Sequence, residues 1–268
     1  MKRTVSAHLL ATAQPGTKLV YAVAPVKDPG YDSFEEELIA TIDGVPIEVK
    51  EVPDFHGGRF HVVETEEGGV LQLDYSATVV GQAEVPVVDE ADLIRYIRPS
   101  RYCESDTLLQ TAYANFGNMT GKELFNAART WVNEELAYVS GSSRGTDSAV
   151  NTLLARRGVC RDFSHLLVSM LRAKNVPARM VAVYAPQLTP MDFHAVVEAY
   201  IDGEWRVADA TGLAPRQGLL RIATGEDATD TAFLSTVRGS IVLNKIRVTA
   251  EADEELTDPP LDELVILR

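Results

Sequence analysis

Cysteine is nearly absent: Cys103 and Cys160 are the two in 268 residues. A secreted disulfide framework uses more of them in a smaller chain. The pair is therefore expected to be two reduced thiols, which favours a cytoplasmic protein. No CxxC or HxxxH spacing accompanies them, so no metal site is expected. EF-hand and Walker patterns are missing too, and no cofactor is implied. No apolar run approaches the roughly 18 residues of a membrane helix. Thr4 to Gln14, behind Lys2 and Arg3, is too short and polar to read as a secretion signal. Positive charge is scarce, with 25 Lys and Arg against 39 Asp and Glu and a net charge of −14. Such a field repels duplex nucleic acid unless a basic patch overrides it. The best local pair, Arg156 and Arg157, reads as a solvated face. Neither nucleic acid nor membrane is an expected partner.

What is present is an ordinary globular composition, 46% hydrophobic and 24% charged, in a chain long enough for two domains. The first stretch reads as strands: Leu19 to Val23, Leu38 to Ile42, Val45 to Val49, Phe60 to Val63, Val70 to Leu73 and Tyr75 to Val80. Asp43-Gly44 between two of them is a hairpin signal. Short strands with turns between them predict a small β-sandwich over residues 1–88. Past Pro86 the pattern changes. A helical linker is expected over 89–118, with a helix at about Ser105–Phe116. Thr120 is expected to cap Gly121–Leu136, with Glu123 completing a capping box. Asp147 is expected to cap a short helix ending at Leu154.

Cys160 then opens a helix running to about Asn175, with Phe163, Leu166, Leu167, Met170 and Leu171 on one apolar face. Strands follow at Ala178–Tyr184, Ala195–Ile201, Trp205–Ala210 and Ile241–Thr249. Residues 119–250 form the expected core. Residues 251–268 are expected to be an acidic, solvated tail.

A thiol attacks as the thiolate, and a free cysteine has a pKa of about 8.5. The first turn of a helix offers unpaired N–H groups and partial positive charge, both favourable to a thiolate at Cys160. Those N–H groups suit an oxyanion as well. Gly158 is expected to let a substrate backbone come close. A two-residue turn at Asp202-Gly203 pairs Ile201 with Glu204, so Asp209 lies opposite Val196. His194 is two residues before Val196 and shares its face. His194 and Asp209 become diagonal neighbours, able to act as base and orienting acid for the thiol. One extra residue in the turn would put them on opposite faces. His165, five residues along the helix from Cys160, points elsewhere and is expected to pack. Asp162 reads as a carboxylate favoured by the helix N-terminus. His8, His56 and His61 read as structural, and Cys103 has no histidine partner.

At these residues the chain resembles the bacterial transglutaminase-like family, within the papain-like cysteine enzyme superfamily. The resemblance rests on Thr130-Trp131-Val132, Leu136-Ala137-Tyr138, Gly141-Ser142-Ser143, Arg157 through Phe163, Leu171-Arg172, Val176 through Arg179, Phe193-His194-Ala195, Trp205 and Asp209-Ala210-Thr211. It implies an α+β core, a cysteine helix packed on an antiparallel sheet, with Cys160 as nucleophile, His194 as base and Asp209 as orienting acid. It also implies a β-sandwich in front of that core. Two positions depart from the family pattern: Val196, where a tryptophan is common, and Ser164, where alanine is.

The expected activity is thiol-dependent acyl transfer on amide bonds of a peptide or protein, with hydrolysis favoured over amine transfer. The rival from another class is a protein-binding module that keeps the fold without the chemistry.

Overall fold

Alternation decides the first eighty residues. The computed structural model describes all residues from Met1 to Arg268. Strands β1 (Lys2–Ala13), β2 (Thr17–Tyr21), β3 (Tyr31–Ile42), β4 (Val45–Pro46), β5 (Lys50–Pro53), β6 (Arg59–Thr65) and β7 (Gly69–Gly81) follow one another without an α-helix. In β1 every second residue from Val5 to Ala13 is buried. That period of two lines one sheet face. The Asp43-Gly44 turn forms as the sequence predicts, with positive φ at both residues and Ile42 paired to Val45.

Helices α1 (Glu90–Arg95), α2 (Leu109–Phe116) and α3 (Gly121–Glu135) lead to the short strand β8 (Ala137–Tyr138). Then come α4 (Ala149–Ala155), β9 (Arg157–Gly158) and α5 (Cys160–Ala173). Strands β10 (Ala178–Tyr184), β11 (His194–Ile201), β12 (Glu204–Ala208) and β13 (Leu220–Gly225) form an antiparallel sheet in the order β12-β11-β10-β13. The short α6 (Ala228–Thr231) precedes β14 (Leu234–Arg238) and β15 (Ile241–Ala252).

α5 is the centre of the second half. Twelve of its residues, from Asp162 to Ala173, are buried. Phe163, Leu166, Leu167, Met170 and Leu171 pack with α2, α3 and the inner face of β11. Each fully buried side chain of that size contributes about 1.5–3 kcal/mol.

The expected domain boundaries need correction. β14 and β15, placed in the core by the sequence, are edge strands of the two sandwich sheets, ordered β15-β1-β7-β3-β4 and β14-β2-β6-β5. β1 pairs with β15 along nearly its full length, so residues 1–88 do not close the sandwich alone. The apolar interior also runs on into β10 and β13 through Tyr184, Leu220 and Ile222. α2 is not a linker, because Leu108, Ala112 and Phe116 belong to the core around α5. The tail is docked on the core, although Glu254, Glu255, Asp262 and Glu263 are exposed as expected. Leu256 and Leu267 are buried, and Val265 bridges to Val207. Arg216 is buried and donates to the Asp258 carboxylate at 3.0 Å and to the Pro259 carbonyl at 2.7 Å.

Smaller corrections concern caps. Thr120 sits at the start of α3 but makes no side-chain capping bond. Ser148, not Asp147, caps α4, through a reciprocal bond with Asn151. Asp147 instead accepts from the Arg144 N–H one turn earlier. No helix is long and apolar enough to cross a membrane.

Candidate active site

Cys160 is the first residue of α5 and is partly exposed. Its turn is built by Asp162, whose Oδ2 accepts from the Val159 N–H at 2.8 Å, while Oδ1 accepts from Ser143 Oγ at 3.0 Å. The carboxylate thus satisfies orphan donors at the helix start, as its position in the sequence suggests. Gly158 serves that carboxylate and not an approaching substrate. A Cβ there would lie 2.5 Å from the Asp162 Cβ. This corrects the role expected for the glycine.

The hairpin register is as calculated. Ile201 pairs with Glu204 and Val197 with Ala208, around a turn whose Asp202 and Gly203 both have positive φ. The His194 Nε2 lies 2.8 Å from Asp209 Oδ2, both residues being buried. Nε2 is committed to the carboxylate, which leaves Nδ1 as the nitrogen available to the thiol. Burial presses the imidazole pKa down, but the Asp209 charge and hydrogen bond, together with the adjacent Cys160 sulfur, outweigh it and raise it to about 10. Burial raises the Asp209 pKa. The His194 charge and the Thr211 bonds overcome that and hold it below the usual carboxylate range.

Asp209 is anchored on every side. The Thr211 N–H and hydroxyl donate to Oδ1 at 2.8 and 2.7 Å. From α3, Arg129 Nε donates to the Asp209 carbonyl at 2.9 Å and Asn133 to the Ala210 carbonyl at 2.8 Å. Sequence reasoning assigned no role to Thr211, Arg129 or Asn133. An Asp-x-Thr step that closes on its own backbone was a usable signal for the first. The other two depend on long-range packing.

Parallel pairing of β8 with β9 sets Tyr138 beside Gly158 and so beside Cys160. Burial and then the Cys160 charge push the Tyr138 hydroxyl up to about 12, against an opposing contact from the Cys160 backbone N–H. The phenol keeps its proton and can donate it.

The remaining candidates fall elsewhere. His165 is buried, stacks on Tyr102 at 5.3 Å and accepts from the Ala228 N–H. Burial and nearby Arg161 drive its pKa down to about 3, so it stays neutral. Cys103 is buried, and burial pushes its thiol up to about 12. His8 pairs with Asp74, His61 approaches Glu51, and His56 meets Tyr96 Oη at 2.9 Å. Val196 packs with Val181, Val183 and Val207 and does not line the cleft. Ser164 donates to the Ala195 carbonyl at 3.1 Å, tying α5 to β11. No group of three or more His, Cys, Asp or Glu side chains converges as metal ligands do.

Cys160 and His194 open into a cleft of about 730 Å³ between the sandwich and the core. Its walls are mostly apolar, with Met180, Ala182, Phe193, Ile222 and Phe233 among them.

Residues 110–210 match the family model of the transglutaminase-like superfamily core. A solved structure from Cytophaga hutchinsonii, assigned as a candidate cysteine protease, is 32% identical, with a TM-score of 0.87 over 98% of this chain and 96% of that one. An uncharacterised Mycobacterium leprae protein is 26% identical over 187 residues, which span 66% of this chain and 65% of that protein.

Proposed function

The chain belongs to the bacterial transglutaminase-like family, a papain-like cysteine enzyme of the protease or acyl-transferase kind, and from that membership we propose that Cys160, His194 and Asp209 act as a catalytic triad that hydrolyses amide bonds in a peptide or protein. The observation that carries this reading is the 2.8 Å contact of His194 with Asp209, in a cleft that the helix-opening Cys160 also lines.

The chemistry follows from the placement. The raised imidazole pKa favours a thiolate–imidazolium pair. The thiolate attacks the amide carbonyl carbon, and the carbonyl π electrons move to oxygen. The Cys160 N–H, at the start of α5, and the Tyr138 hydroxyl are the donors we assign to that oxyanion. As the C–N bond breaks, His194 gives its proton to the leaving amine. Water then adds to the thioester while His194 takes a proton from it. Loss of the thiolate releases a carboxylic acid and restores the pair. Asp209 keeps its proton-free form throughout and holds the ring's orientation.

The test has two parts. Iodoacetamide should alkylate Cys160 at pH 6 on the order of tenfold to a hundredfold faster in the native protein than in His194→Ala, because a free thiol is scarcely ionised there. Equal rates would remove the triad. Casein offered with a fluorescent primary amine should then yield new amino termini by mass spectrometry. Amine incorporation without cleavage would replace hydrolysis by transamidation.

A further inference from the structure

β14 is an edge strand, paired on one side with β2 and with no strand on the other. Three consecutive residues of β14, Leu234, Ser235 and Thr236, line the catalytic cleft, together with Thr231 to Phe233 that lead into it. Side chains on a strand alternate between two faces. An unbroken run along the wall therefore means that the cleft fronts the backbone edge and not one face of the sheet.

The ladder says which groups that edge offers. The Ala22 N–H donates to the Phe233 carbonyl at 3.0 Å, and Leu234, Ser235 and Thr236 pair in turn with Tyr21, Val20 and Leu19. Antiparallel pairs alternate between bonded and non-bonded. Phe233 and Ser235 thus face β2, and the N–H and C=O of Leu234 and Thr236 face away from it. Those outward groups have no partner in the chain. Exposed edges of this kind template the pairing of another extended segment.

The edge is also tied to the reacting centre. Phe193, the residue before His194, stacks on Phe233, the residue before Leu234, with ring centroids 4.9 Å apart. The start of the free edge is held beside the start of the strand that carries the base. Cys160 lines the same cleft.

We propose that the substrate is an extended polypeptide segment captured by strand addition to the free edge of β14, which feeds its amide to Cys160. This rests on the triad reading above. Backbone pairing supplies affinity independent of side-chain identity, and the apolar cleft wall takes alternate side chains. A small free carboxamide would leave the edge unused.

Chloromethyl ketones test this, since the Cys160 thiolate displaces chloride to form a thioether whose rate of formation is read directly by mass spectrometry. The probes are acetyl-Ala-chloromethyl ketone, acetyl-Ala-Ala-Val-Ala-chloromethyl ketone, and four versions of the latter with one backbone nitrogen methylated in each. The tetrapeptide should react about tenfold or more faster than the single residue, the net worth of one to two backbone hydrogen bonds. Methylation should abolish the advantage at alternate positions and spare the others. No advantage for the tetrapeptide, or equal sensitivity at all four nitrogens, overturns strand addition. Iodoacetamide needs no edge, so its rate at Cys160 reports the triad alone and separates failure of that reading from failure of this one.

Discussion

His194 answers two opposed demands, since its burial favours a neutral ring while the Asp209 carboxylate and the Cys160 sulfur favour a charged one. The charges win, so the imidazole pKa rises from 6.5 to about 10. A raised folded-state pKa contributes stability that is complete below the unfolded value and is lost as pH rises through the folded one. The native protein should therefore lose thermal stability between pH 6.5 and about 10 through this residue. Asp209→Asn removes the charge that raises the pKa. Its midpoint by calorimetry should start lower at pH 6.5 and fall less steeply towards pH 10. An amide also lets the ring settle in the wrong tautomer, so turnover should drop on the order of 10³–10⁴-fold. A pH slope equal to that of the native protein would show that Asp209 does not hold the imidazolium.

At the scale of elements, a hairpin does the placing. Asp202 and Gly203 take the positive φ that a two-residue turn requires, and that turn sets the register of β11 on β12. One alanine inserted between them should shift β12 by one position. Asp209 would then leave the face of His194, although neither Cys160, His194 nor Asp209 had changed. The expected outcome is a folded protein by circular dichroism whose alkylation at pH 6 falls to that of His194→Ala. Retained reactivity would mean that Thr211, Arg129 and Asn133 hold Asp209 without the hairpin. This register was legible in the sequence because a short turn makes it arithmetic. The cysteine helix was legible from its apolar spacing. β1 was not legible, although Val5, Ala7 and Leu9 alternate with Ser6 and His8, because Leu10 interrupts the alternation. The strand β15 was legible at Ile241–Thr249, but the sheet it joins, and β14 altogether, were out of reach for a physical reason. Their partners, β2 and β1, lie over two hundred residues away in the chain, and local periodicity does not say which sheet a strand joins. Gly158 was misread because a glycine shows where a side chain is excluded but not which neighbour excludes it.

For the whole molecule, the chain's two ends close the structure around the core. β15 completes the sheet of β1, and the last residues cover the buried Arg216, which donates to Asp258, Pro259, Pro260 and the Glu263 carbonyl. Arg216 also lies close enough to Arg129 for its charge to lower that guanidinium's pKa, alongside the larger effect of burial. Arg129 in turn bonds the Asp209 carbonyl. The tail therefore neutralises a buried cation close to Arg129, which holds the Asp209 carbonyl. Deleting residues 254–268 strips Arg216 of its acceptors and uncovers the apolar sites of Leu256 and Leu267. The expected cost is at least about 3 kcal/mol, or roughly 6–12 °C in melting temperature for a chain of this size. Arg216→Met separates the two contributions. In the full chain it breaks a buried pair and should destabilise. In the truncated chain it removes a charge that has no partner, so it should cost less or restore stability, with a coupling of about 1–3 kcal/mol between the two changes. Strictly additive effects in that double-mutant cycle would mean that the tail acts only as an apolar cover, leaving the charge of Arg216 to be balanced elsewhere.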